Sequence, residues 1–97
     1  MDVQRVKKME EYLNEITTAN ERLEQELANI DSLRDKMISL FSYYGSREWY
    51  EDVEGDLPEG VNAGVLSEDA VYDQITSVRD NAIRMLELAT DIIKNRI

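Results

Sequence analysis

Two residue types are missing from this chain, and their absence excludes much chemistry. None of its 97 residues is cysteine or histidine. Without cysteine, no disulfide and no thiolate metal site can form, which fits a reducing compartment and a cytoplasmic location. Without histidine, the commonest general base and the commonest transition-metal ligand are both gone. The serines at 32, 39, 42, 46, 67 and 77 then have no imidazole to activate them as nucleophiles. Proline occurs once, and residues 2–44 hold neither proline nor glycine. No apolar run approaches the ~20 residues that span a bilayer. The opening "MDVQRVKKMEEYLNE" lacks the continuous apolar core of a signal peptide. A membrane partner is therefore not expected, and neither is a cofactor.

Positive charge is scarce as well. Eleven Lys and Arg face 21 Asp and Glu, for a net charge of −10. Phosphate backbones are repelled by such a field, so nucleic acid is not an expected partner. From Glu48 to Val78 there is no Lys or Arg, while nine of the 21 acids fall there. The basic residues Arg5, Lys7 and Lys8 lie near one end, Lys94 and Arg96 near the other.

What is present is helical patterning. A chain this short makes one domain with a thin core. Its 42% hydrophobic content argues against disorder. Val6, Met9, Leu13, Ile16, Leu23, Leu27, Ile30, Met37, Phe41 and Tyr44 recur at alternating steps of three and four, as in the a and d columns of a heptad. Asn20 and Arg34 interrupt the a column; polar residues there fix register and oligomer state. Tyr12, Ala19, Leu33 and Leu40 widen the stripe on its g side, which suits a bundle better than a bare two-stranded coil. The pattern predicts one long helix over 2–44, stopped by Gly45 in the left-handed conformation.

Ser46 then reads as an N-cap, with Glu48 in the first turn of a short helix over 46–54. Gly55 ends it, and residues 55–66, "GDLPEGVNAGVL", read as a loop. Ser67, followed by Glu68 and Asp69, caps a last helix over 67–95, with Val71, Ile75, Val78, Ala82, Met85, Ala89 and Ile92 on its apolar line. Lys94 and Arg96 give its C-terminus the charge it prefers. No strand alternation appears. The expected fold is all-α: two long antiparallel helices in a hairpin, joined by a short helix and a loop. At ~1.5 Å per residue the first helix reaches roughly 60 Å and the last roughly 43 Å. The first would therefore overhang at Val6 and Met9, which favours a homodimer of hairpins completing a four-helix bundle.

The joint, Tyr43 to Gly60, concentrates the unusual residues. Phe41, Tyr43, Tyr44, Trp49 and Tyr50 are five of the seven aromatics. They suit a binding surface, where Trp and Tyr are common anchors. They equally suit a mini-core that ties a short helix between two long ones. The two roles are compatible, since a tied-down cap can still present an exposed ring. The contact candidates are Tyr44, Glu48, Trp49, Tyr50, Asp52 and Tyr72, and a protein with a basic or amphipathic surface is the expected partner.

Two other chemistries fit parts of the sequence. Glu48 with Glu51 (i,i+3) and Asp69 with Asp73 (i,i+4) could hold Mg²⁺ from two helices. All-α nucleotide pyrophosphohydrolases work this way, with E-x-x-E on one helix and E-x-x-D on a later one. Glu48 and Glu51 match the first half. The second half fails, since Glu68 is followed at three by Val71 and Glu87 by Thr90. The basic groups that would grip a triphosphate are missing nearby. EF-hand spacing is absent too. The other alternative is an acidic DNA mimic that occupies a basic groove, although charge runs are more often solvated faces that aid solubility.

The segment "YYGSREWYEDVEGDLPEGVNAGVLSEDAVYDQI" also resembles the bacterial family named domain of unknown function 4298, a group of small acidic helical proteins. The resemblance rests on Tyr43-Tyr44-Gly45-Ser46, Glu48-Trp49, Leu57-Pro58, Gly64-Val65-Leu66-Ser67-Glu68-Asp69 and Tyr72-Asp73. The ending "RMLELATDIIK" fits as well, so the likeness covers nearly the whole chain. It implies an all-helical cytosolic protein and carries no catalytic residues over.

Overall fold

The computed structural model describes residues 1–61 and 63–95. Arg96, expected to complement the last helix, lies outside the described residues, as does Asn62 of the expected loop. The chain is all-α, and no strand occurs among the described residues. Its helices are α1 (Val3–Ser32), α2 (Arg34–Tyr43), α3 (Arg47–Glu54) and α4 (Ala70–Lys94), with a 3₁₀ turn at Gly64–Leu66. Among the described residues no helix is long and apolar enough to cross a membrane. The chain divides into two units, Met1–Met37 and Ile38–Ile97.

In the first unit, Asp2 caps α1 by accepting from the Arg5 amide at 3.1 Å. The long helix expected over 2–44 is interrupted at Leu33, and the cause is local. In an unbroken helix the Leu33 amide would donate to the Asn29 carbonyl. That carbonyl instead accepts from the Ser32 hydroxyl at 2.6 Å. The Leu33 amide turns to the Ile30 carbonyl at 3.1 Å, and the helix resumes with Met37 donating to the Leu33 carbonyl at 2.9 Å. Serine side chains that bond back to the helix backbone compete with its ladder. No residue of α1 is buried. Its seam residues Val6, Met9, Leu13, Ile16, Leu23, Leu27 and Ile30 are all exposed.

The second unit carries the core. Gly45 stops the helix with φ +75°, in the left-handed region that favours glycine. Ser46 follows in extended backbone and starts α3, its hydroxyl accepting from the Trp49 amide at 3.3 Å. The expected loop over 55–66 is not wholly irregular. Residues 64–66 wind into the 3₁₀ turn, with the Leu66 amide bonding the Ala63 carbonyl at 2.9 Å and the Ser67 amide bonding the Gly64 carbonyl at 3.1 Å. Ser67 accepts from the Ala70 amide at 3.0 Å, a capping bond at the expected serine. The regular helix begins later than expected, at Ala70, because Glu68 and Asp69 form the turn that leads into it. Lys94 stands in the last turn of α4. Among the described residues only Trp49 and Val71 are buried, one from α3 and one from α4.

Candidate functional site

The site is built on Trp49, which is only 5% exposed. Its indole Nε1–H donates to the Val65 carbonyl at 3.0 Å, so the polar edge of the ring is satisfied inside the unit. The 3₁₀ turn exists at the place where it presents that carbonyl. Two tyrosines meet the indole edge-on. The ring centres of Tyr44 and Trp49 are 5.1 Å apart, and those of Trp49 and Tyr50 are 5.0 Å apart. Such edge contacts add to plain burial. The Tyr44 hydroxyl donates to the Glu68 carbonyl at 2.6 Å, which ties the end of α2 to the turn before α4.

Above this core lies an open cleft of about 380 Å³ lined by Tyr44, Gly45, Trp49, Tyr50, Glu68, Asp69 and Tyr72. Four of the six expected contact residues are brought together here: Tyr44, Trp49, Tyr50 and Tyr72. They divide by depth. Trp49 is the floor, whereas Tyr50 and Tyr72 are each 58% exposed and present their rings at the rim. Glu68 and Asp69 add carboxylates to the same lining. Neither was among the contact candidates, although their place directly after Ser67 was a usable signal.

The other two candidates go elsewhere. Glu48 and Asp52, four apart on α3, share a side of that helix. They lie toward Tyr43. The Tyr43 hydroxyl donates to an Asp52 carboxylate oxygen at 2.5 Å. That bond, with burial of the ring and the nearby charges of Asp52 and Glu48, pushes the Tyr43 phenol up to about 12. Asp52 lines a second cleft of about 300 Å³, whose apolar floor is Leu57, Val61, Ala63, Val65 and Leu66. Glu51 and Asp56 stand with it on the acidic side. Apolar residues inside a glycine-rich loop were the sequence signal for this floor. Glu48 lines a separate surface with Ser39, Ser42, Tyr43, Ser46 and Arg47.

The carboxylates considered for metal binding stay in separate places. Glu51 accepts from the Arg47 guanidinium at 3.3 Å. Asp69 lines the aromatic cleft, and Asp73 lies in the first turn of α4. Among the described residues no three Asp or Glu side chains gather into a set that could hold a metal ion.

Fold and site together define a small all-helical protein organised around one aromatic joint. The joint anchors its only tryptophan and leaves two tyrosines beside carboxylates at the surface. The chain belongs to the family described as Domain of unknown function (DUF4298), whose model matches residues 6–88. No curated protein and no solved structure matches it.

Proposed function

We propose that this protein is a non-enzymatic, cytoplasmic protein–protein interaction module. In this reading the cleft around Tyr50 and Tyr72 receives a basic, amphipathic segment of a partner protein. One observation carries the proposal: two tyrosines, each 58% exposed, line a cleft together with a buried tryptophan, Glu68 and Asp69. Tyrosine faces attract Lys and Arg head groups, and carboxylates complement their charge. The aliphatic stems of those residues suit an aromatic surface. The lack of any Lys or Arg between Glu48 and Val78 leaves that attraction unopposed within the segment.

The architecture proposed with it is a hairpin of the long helices, two copies of which complete a four-helix bundle. The support is exposed apolar surface on both helices, which water alone would leave uncovered. On α1 this is the seam from Val6 to Ile30; on α4 it includes Met85, Leu86, Ile92 and Ile93.

The test is titration of the full chain with a lysine- and arginine-bearing amphipathic peptide, and with its glutamate-substituted counterpart, by calorimetry. The cationic peptide binds and the acidic one does not, and Tyr50→Ala with Tyr72→Ala removes the binding while helicity is kept. Equal binding of both peptides would contradict the reading. Mg²⁺-dependent release of pyrophosphate from nucleoside triphosphates, abolished by Glu51→Gln, would replace it with the enzyme reading.

A further inference from the structure

We infer that the apolar seam of α1 is an interface with the α1 of a second copy, and that the two helices run antiparallel. The inference rests on the self-association proposed above and adds its surface and direction.

The seam is real and uncovered. Seven apolar residues from Val6 to Ile30 hold the a and d columns over roughly 36 Å of helix, at ~1.5 Å per residue. Their exposures run from 43% at Ile30 to 66% at Ile16. Of the 30 residues of α1, none is buried. The stripe is wider than one neighbour needs, because Tyr12 and Ala19 extend it on the g side. A hairpin partner and a second copy can therefore share it.

Charge supplies the direction. A helix dipole favours anions at the N-terminus and cations at the C-terminus. In α1 the first turn holds no acid and the last turn no base. Arg5, Lys7 and Lys8 crowd the N-terminal end, while Glu21, Glu24, Glu26 and Asp31 lie toward the C-terminal end, with Arg22 among them and Arg34 paired to Asp31. Apart from the Asp2 cap, the first three charged residues of α1 are basic, while its C-terminal end is predominantly acidic. A parallel copy would set like ends together; its flanking pairs would be Arg5 with Glu10, which attract, and Glu26 with Asp31, which repel, so they offset. An antiparallel copy lays the basic end over the acidic one. Arg5 and Glu26 both belong to the g column, and in antiparallel pairs g columns face each other; flanking pairs of this kind set orientation. Among the described residues the ion pairs are Arg34–Asp31 and Arg47–Glu51, so the Arg5 guanidinium is available. Setting Arg5 against Glu26 of the second copy places Val6 opposite Leu23 and Leu13 opposite Ile16. Asn20 then falls opposite Met9, whose flexible chain adapts to a polar neighbour.

The chain has no cysteine, so an introduced one is unique. Val6→Cys and Leu23→Cys variants of the full chain, each checked for parent helicity, are mixed and mildly oxidised. The mixed disulfide should form, while Val6→Cys alone stays reduced. In the antiparallel pair its two thiols stand roughly 25 Å apart along the axis, against the ~7 Å between Cα atoms that a disulfide tolerates. A Val6→Cys self-disulfide, or a dimeric mass with no mixed disulfide, overturns the antiparallel seam and leaves self-association standing. A monomeric mass by light scattering at micromolar concentration overturns both.

Discussion

Replacing Trp49 removes the residue on which the joint is assembled, and the size of the loss can be worked from its surroundings. Truncating a buried tryptophan to alanine costs ~3–5 kcal/mol, including the cavity left behind. Here the change also deprives the Val65 carbonyl of its donor and Tyr44 and Tyr50 of their edge contacts. A unit of the size of Ile38–Ile97 holds roughly 3–9 kcal/mol in all, at ~0.05–0.15 kcal/mol per residue. Trp49→Ala therefore consumes much or all of its stability. With ~4–8 °C of Tm for each kcal/mol in domains of this size, the transition falls by about 15 °C or more. Trp49→Phe separates the contributions. It keeps a ring between the tyrosines but loses the indole donor, worth ~1 kcal/mol, and some area. Its Tm should fall by about 5–15 °C. The assay is thermal unfolding by circular dichroism, with near-ultraviolet signals reporting tyrosine packing. A Trp49→Ala chain whose Tm stays within about 3 °C of the parent would refute the claim that this indole organises the unit.

Tyr43 should titrate late: its phenol, raised to about 12 by the bond to Asp52, should ionise well above the ordinary tyrosine value near 10 in an ultraviolet titration. Because the folded value lies above the unfolded one near 10, the stabilisation is complete below pH 10 and is lost as pH climbs toward 12; Asp52→Asn should return the late component toward 10. Gly45→Ala should cost ~1–2 kcal/mol for placing a side chain at positive φ, although nothing lies within 4 Å of the added Cβ; a parent-like denaturation midpoint would contradict the strain. Ser32→Ala frees the Asn29 carbonyl for the Leu33 amide, so slowed hydrogen exchange at Leu33 is the expected result.

Much of the joint was legible because its chemistry is local. Gly45 and Ser46 are a helix stop and a helix start by virtue of their own backbone and side chain, and need nothing distant to act so. Ser67 caps by the same local logic, but where α4 becomes regular depends on the turn at Glu68 and Asp69. The break at Leu33 was not legible. It follows from one hydroxyl reaching back to one carbonyl, and most serines in helices do not interrupt them. The orientation of Trp49 was hidden for a different reason. Its indole is held by the carbonyl of Val65, 16 residues away, and that partner exists only once the 3₁₀ turn has formed. Helical spacing explains only the pairing of Glu48 with Asp52; Trp49 and Tyr50, adjacent on α3, meet at one cleft because the segments around them converge there. Glu48 and Asp52 share the side facing Tyr43, while Trp49 and Tyr50 lie with Tyr44 and Tyr72 at the aromatic cleft.

The structural role of the joint and its proposed binding role separate at the level of single residues: Trp49 is its buried centre, and Tyr50 and Tyr72 are the proposed partner contacts. One comparison tests that division most directly. Parent chain and a Tyr50→Ala, Tyr72→Ala double variant are titrated with the same cationic amphipathic peptide at a temperature where circular dichroism shows both folded. The account predicts a modest fall in Tm for the double variant, from the lost Tyr50–Trp49 edge contact, and loss of peptide binding while it remains folded. Undiminished binding by a folded double variant would contradict it.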